Sequence, residues 1–187
     1  NSCSIVTTPT AEMKAELEKN GVKKTVVVLP NAIDFKGFNR VARKKYETKN
    51  PKLIYFGRVS YEKNIEVLIQ ALKRLRESNK TVTLTITGSG PAADYLKSIA
   101  QGADVGDFAM FQPALKGKEL AGHVAGHDIF VTASTIETQG LTILEAMAAG
   151  LPCVGADCLG IKDSIKEGKN GFLFRPFDFE ELASKLE

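Results

Sequence analysis

Residues 53–91 read LIYFGRVSYEKNIEVLIQALKRLRESNKTVTLTITGSGP, and the order of elements within them decides the fold class. An apolar run at 53–56 and a β-branched run at 82–87 read as strands. Between them Ile65, Leu68, Ile69, Leu72 and Leu75 fall at spacings of three, one, three and three, a single apolar stripe on a helix over 64–78. Glu66, Gln70, Lys73 and Arg76 lie off that stripe. Short apolar strands joined by a crossover helix suit a parallel sheet covered on both faces.

The alternation continues with a helix at 92–100, a strand at 108–111, a helix at 117–124, a strand at 129–132 and a helix at 141–149. A strand at 153–155, a short helix near 162–166, a strand at 172–174 and a helix opened by Asp178 complete it. Upstream lie a β-like run at 4–7, a helix capped by Thr10 and ended by Gly21, and a strand at 25–29 stopped by Pro30. Residues 36–51 form a basic connector without periodicity. The predicted fold is a doubly wound α/β domain over residues 1–187. Its ligand is expected at the carboxyl ends of the strands, in the loops 57–63, 88–91, 112–116, 133–140 and 156–162.

Composition narrows the class. The 187 residues, 43% apolar and 25% charged, fit one globular domain and exclude disordered, collagenous and coiled-coil chains. The most apolar stretch, 141–156, is interrupted by Glu145 and Gly150-Leu-Pro152, so no membrane span is expected. Three cysteines (Cys3, Cys153, Cys158) are too few and odd in number for a disulfide framework, and no leader pattern opens the chain; both point to the cytoplasm. Asn1 in place of Met, with the text starting mid-pattern, suggests a piece of something longer.

Three constellations sit in the predicted ligand loops. Gly88-Ser-Gly90-Pro-Ala-Ala93 follows a strand and opens a helix, as a dinucleotide fingerprint does. The acid such a site wants at the end of the next strand is replaced by Gln112, and Asp107 lies at the wrong end of that strand. A tight turn or another kind of nucleotide-proximal loop remains open. Arg58 and Lys63, five apart between a strand end and a helix start, offer a planar fork and a point charge for phosphate oxygens beside a positive helix end, or are merely solvated. Glu137 and Glu145 flank Gly140, where the helix is expected to start, so one lies in the loop and the other in the second turn. That span exceeds the about 5–9.5 Å of two carboxylates flanking one glycosidic bond and suits two parts of one elongated ligand. Elsewhere His123 and His127 lack the Glu of a metalloprotease motif. Joining them to Cys153 and Cys158 in a zinc site would need two distant segments to meet, and no hydrolase triad is evident.

Taken in order, Leu29-Pro-Asn-Ala-Ile-Asp34, Phe56-Gly-Arg58, Glu62-Lys63-Asn64, Gly88-Ser-Gly90-Pro91 and Asp128-Ile-Phe-Val131 resemble the donor-binding half of family 4 glycosyltransferases. So do Glu137 through Glu145 with the following Ala-Met-Ala-Ala-Gly150-Leu-Pro152, and Gly168-Lys-Asn-Gly171-Phe-Leu173. The resemblance implies the C-terminal, Rossmann-like domain of a GT-B enzyme, whose N-terminal acceptor domain is missing here. It implies that Arg58 and Lys63 hold the donor diphosphate, with Gly88 and the backbone of Gly140, Leu141 and Thr142 nearby. Glu137 would bond sugar hydroxyls, Glu145 the ribose, and Gln112 and Pro113 would lie near the nucleobase; Glu137, Arg58 and Lys63 would carry catalysis. It also implies hexosyl transfer with retention, no metal and no cofactor besides the nucleotide-sugar substrate. Alternatives are a nicotinamide-binding dehydrogenase domain and a GT-B epimerase. Ala32, Ala133 and His127 depart from the family's usual Gly, Pro and Ala.

The connector carries Lys36, Arg40, Arg43, Lys44, Lys45 and Lys49 against Glu47 alone, so the formal +3 of the chain is local to it and the remainder is slightly acidic. A solvated loop is the expectation. Contact with an anionic membrane surface would fit a lipid acceptor. Phe35, Phe38 and Tyr46 form no stacking series, so no nucleic acid is expected.

Overall fold

The first βαβ unit comprises β1 (Ile5–Thr8), α1 (Ala11–Lys19) and β2 (Thr25–Val28), its strands paired in parallel from Ile5 opposite Thr25 to Thr8 opposite Val28. Thr10 caps α1 by accepting the Met13 N–H, and Gly21 takes the left-handed turn that follows. This is a two-stranded sheet on its own. Its face bearing Ile5 and Val27 is exposed, as is Leu29 beyond it.

The structure, a computed structural model, describes residues 3–39, 49–78 and 81–187. The cations at 40–45 therefore lie outside the described residues. Within the expected connector a five-residue helix forms, α2 (Phe35–Asn39). Asp34 accepts the Gly37 N–H at its start, and Phe38 is buried in the core, a tertiary contact that periodicity over so few residues does not reveal.

The main sheet alternates strands and helices in chain order: β3 (Lys52–Phe56), α3 (Ile65–Glu77), β4 (Thr83–Thr87), α4 (Ala93–Gly102), β5 (Ala109–Gln112) and α5 (Gly117–Ala125). Then come β6 (Ile129–Thr132), α6 (Leu141–Ala148), β7 (Cys153–Ala156), α7 (Leu159–Ser164), β8 (Gly171–Phe174) and α8 (Phe179–Leu186). The strands are all parallel in the order β5-β4-β3-β6-β7-β8, so the fold is doubly wound α/β as expected.

Strand residues alternate between two cores. Leu53, Tyr55, Leu84, Ile86 and Val131 pack under α3, α4 and α8, where the stripe Ile65, Leu68, Ile69, Leu72 and Leu75 is buried throughout. Ile54, Phe56, Phe130 and Cys153 face α5, α6 and α7. Helix α7 lies three residues earlier than the expected 162–166. Ile165 leaves the helix in an extended conformation to reach the core, and Asn170 accepts the Lys166 N–H, so the chain turns where the helix was predicted to run.

The order of strands reverses between β3 and β6. These two share only the pairs Leu53 with Ile129 and Ile54 with Phe130, and the loops that follow them open a crevice at their carboxyl ends. On the other side of β3 the backbone pairing continues beyond the strands. Gly57 N–H donates to Thr87, Val59 N–H to Ser89 and Ala92 N–H to Val59. A Cβ on Gly88 would strike the Gly57 carbonyl, and one on Gly90 the Val59 carbonyl. The two glycines of the fingerprint thus serve this loop-to-loop approach.

Gly90→Ala is expected to destabilise the chain by about 2–3 kcal/mol, because backbone must move to admit the methyl group. Gly102→Ala, in open space at the end of α4, should change stability by less than about 1 kcal/mol. Urea unfolding of the two variants checks the contrast.

Candidate functional site

Two adjoining lobes occupy the crevice. The first, about 290 Å³, lies between the loops after β3 and β6 and is lined by Tyr55, Arg58, Lys63, Glu137, Gly140 and Leu141 among others. The second, about 190 Å³, lies over the end of β4 and is lined by Thr87, Gly88, Ala114, Leu115, Leu120 and Glu145. Phe56, Gly57 and Thr142 line both, so the lobes meet at the start of α6.

Local geometry fixes each charged group. A 3-10 turn at Tyr61–Lys63 ends on Asn64 in the left-handed conformation, and the Asn64 carboxamide donates to the Ala133 carbonyl. This ties the loop after β3 to the loop after β6. Across that tie Lys63 Nζ donates to Glu137 Oε1 at 2.7 Å, with both side chains largely shielded from solvent. Arg58 is more exposed and pairs with Glu62 at 2.5 Å. The Tyr55 hydroxyl donates to the Arg58 carbonyl at 2.8 Å. Burial, with the neighbouring charges of Glu137 and Glu62, pushes its ionisation well above the usual range.

Gly140 holds a left-handed φ of +69 at the cap of α6, which lets the loop turn sharply into the helix. The N–H groups of Leu141 and Thr142 have no hydrogen-bond partner among the described residues and stand at the positive end of the helix, the arrangement that receives anions. Glu145, in the second turn, lies in the other lobe. Its carboxylate has no hydrogen bond or ion pair among the described residues, and burial raises its pKa. Glu137 and Glu145 therefore face separate lobes, as their spacing suggested.

The structure brings Arg58, Lys63, Glu137, Gly140, Leu141 and Thr142 to one lobe, and Gly88, Thr142 and Glu145 to the other. Gln112 and Pro113 line neither lobe. Gln112 is spent on the ladder, its carbonyl accepting the Gly88 N–H, and Ala114 and Leu115 line the cavity in their place.

Sequence reasoning missed Gln139. Its buried carboxamide accepts the Asn31 N–H at 2.8 Å and donates to the Asn31 carbonyl at 3.2 Å, holding Asn31 at the rim of the first lobe. The only signal was that both residues sit inside motifs, Leu29-Pro-Asn and Glu137-Thr-Gln-Gly. The histidines have structural partners: His123 Nε2 pairs with Thr87 Oγ1 at 2.9 Å, and His127 Nε2 with Thr85 Oγ1 at 3.0 Å. Burial lowers both pKa values. Among the described residues no cluster of His, Cys, Asp and Glu has the arrangement of a metal site, and no helix is long and apolar enough to cross a membrane.

A family model described as "Glycosyl transferases group 1" matches residues 36–187. The chain is 38% identical over 150 residues to sulfoquinovosyl transferase SQD2 of Arabidopsis thaliana, covering 79% of this chain and 28% of that protein. It is 31% identical over 155 residues to the alpha-monoglucosyldiacylglycerol synthase of Streptococcus pneumoniae, covering 77% and 34%. The pneumococcal O-GlcNAc transferase GtfA, solved with UDP and GlcNAc, is similar at a TM-score of 0.81 and 26% identity, covering 98% of this chain and 37% of that one. The chain spans about a third of the length of these curated relatives.

The half-buried Glu145 holds its proton to higher pH in the fold than in the unfolded chain. That favours the fold at low pH, and the advantage is lost as pH rises through the folded-state value. Glu145→Gln, which cannot ionise, should raise the unfolding midpoint by about 1–2 °C at pH 7 and leave it nearly unchanged at pH 4. Thermal denaturation at the two pH values measures this.

Proposed function

The chain belongs to the group 1 glycosyltransferases, and on that premise we propose that its two-lobed crevice binds a nucleotide-diphosphate sugar. The observation that carries the reading is the placement of two carboxylates in separate lobes that meet at the start of α6, with two cations in the lobe of Glu137. Glu145 accepts from the ribose hydroxyls. Lys63, Arg58 and the N–H groups of Leu141 and Thr142 hold the diphosphate where the lobes meet. Glu137 accepts from hydroxyls of the sugar, and the base lies over Gly88, Ala114 and Leu115, past Gln112 and Pro113. The pneumococcal neighbour, solved with UDP and GlcNAc, supports a nucleotide and a sugar as the ligand.

Negative charge develops on the diphosphate as it leaves the sugar. Fixed cations and helix N–H groups that bind it better in that state lower the barrier. Arg58 and Lys63 supply the charge, and the short α6 supplies oriented donors. Transfer proceeds with retention in this reading, to an acceptor held by a second, N-terminal domain. The uncovered face of the first βαβ unit, bearing Ile5 and Val27, supports such a domain, since parallel strands are ordinarily covered on both faces. A relative named for a glucosylated diacylglycerol supports a lipid acceptor, which would bring the enzyme to a membrane surface.

Titration calorimetry with UDP-, GDP- and ADP-glucose tests the reading. One of them should bind, and Arg58→Ala and Glu145→Ala should each weaken it about tenfold. Silence with all three, or binding indifferent to both substitutions, would sink it. The 187-residue chain alone should show negligible transfer, and robust transfer by it would remove the need for a second domain.

A further inference from the structure

Each cation assigned to the diphosphate is already engaged by a carboxylate, Lys63 by Glu137 of the same lobe and Arg58 by Glu62 beside it. Lys63 pairs with Glu137, the side chains 14% and 25% exposed. Arg58 pairs with Glu62, the side chains 66% and 34% exposed. Arg58, Lys63 and Glu137 line one cavity, and the Tyr55 hydroxyl in it donates to the Arg58 carbonyl, so the two pairs are neighbours. The lobe is therefore nearly self-neutralised, and an incoming diphosphate must compete for its cations.

We infer that Glu137 and Glu62 are internal counter-ions of these cations, and that Glu137 makes this lobe select an intact sugar nucleotide over the bare nucleoside diphosphate. The inference rests on the nucleotide-sugar reading above and concerns what these carboxylates do to its specificity. When a bare diphosphate takes Lys63, Glu137 is left shielded from water, without its cation and facing phosphate oxygens. Removing one partner of a shielded ion pair and setting like charges together both oppose binding. When the nucleotide carries a sugar, the sugar hydroxyls donate to the released carboxylate in charge-assisted bonds and offset that loss. The same group thus resists the nucleoside diphosphate and accepts the donor, and it speeds release of the nucleotide once the sugar has gone. Glu62 competes with either ligand for Arg58 alike, and only weakly, because its pair is more exposed to solvent.

The opposite arrangement is concrete. A lysine ammonium has three donors, so Lys63 could bridge Glu137 and phosphate at once, and Glu137 would then support the bare diphosphate. Calorimetry on the 187-residue chain with UDP, GDP and ADP and their glucose conjugates separates the two. E137Q should tighten the nucleoside diphosphate about fivefold and weaken its glucose conjugate, lowering the preference for the conjugate by about tenfold. E62Q should tighten both ligands about twofold, and its exposed position reads the effect independently of any folding defect in E137Q. If E137Q binds the bare diphosphate no better than the parent chain, or E62Q tightens neither ligand, the counter-ion role is wrong and the nucleotide-sugar reading stands. If the parent chain binds none of the six compounds, the nucleotide-sugar reading falls and this inference with it.

Discussion

β3 and β6 run side by side through only two paired positions, and the chains leaving them turn to opposite faces of the sheet, one into α3 and the other into α6. Every charged group of the crevice depends on that divergence. Arg58 and Lys63 lie on one of the diverging loops and Glu137 on the other, and Asn64 in its left-handed turn spans the gap between them. A sheet wound in one direction only would have sent both connections to the same face, with no crevice between them.

On the β3–β4 side the site is bounded by paired backbone. The loops at 57–59 and 88–90 are hydrogen-bonded to each other as an extension of the β3–β4 ladder, which the two glycines alone allow. A glycine-rich strand-to-helix turn has two physical uses, approach to a phosphate and approach to another backbone. In this chain the geometry of Gly88 and Gly90 displays the second.

What could be read from the sequence follows the same division between local and tertiary causes. The α3 stripe, the apolar strands and the start of α6 at Gly140 are local, and they lie where residue spacing put them. The separation of Glu137 from Glu145 by the start of a helix was legible for the same reason. α2 and the displacement of α7 were not, because Phe38 and Ile165 are placed by packing against elements far away in sequence. Gln112 ends β5 and Pro113 follows it, yet the ladder holds the Gln112 carbonyl and it is the next two residues that line the cavity. Gln139 escaped notice because a buried amide inside a polar loop leaves no periodic trace, and its partner is 108 positions away.

That amide has a mechanical consequence. Gln139 grips both backbone polar groups of Asn31, while Thr10 Oγ1 donates to the Thr138 carbonyl and the Glu12 N–H to Asp163. The first βαβ unit is thereby bolted to the loop that carries Glu137 and to α7 behind it. The mouth of α6 therefore rests on a brace from outside the main sheet, joined to it through the residue just before Gly140.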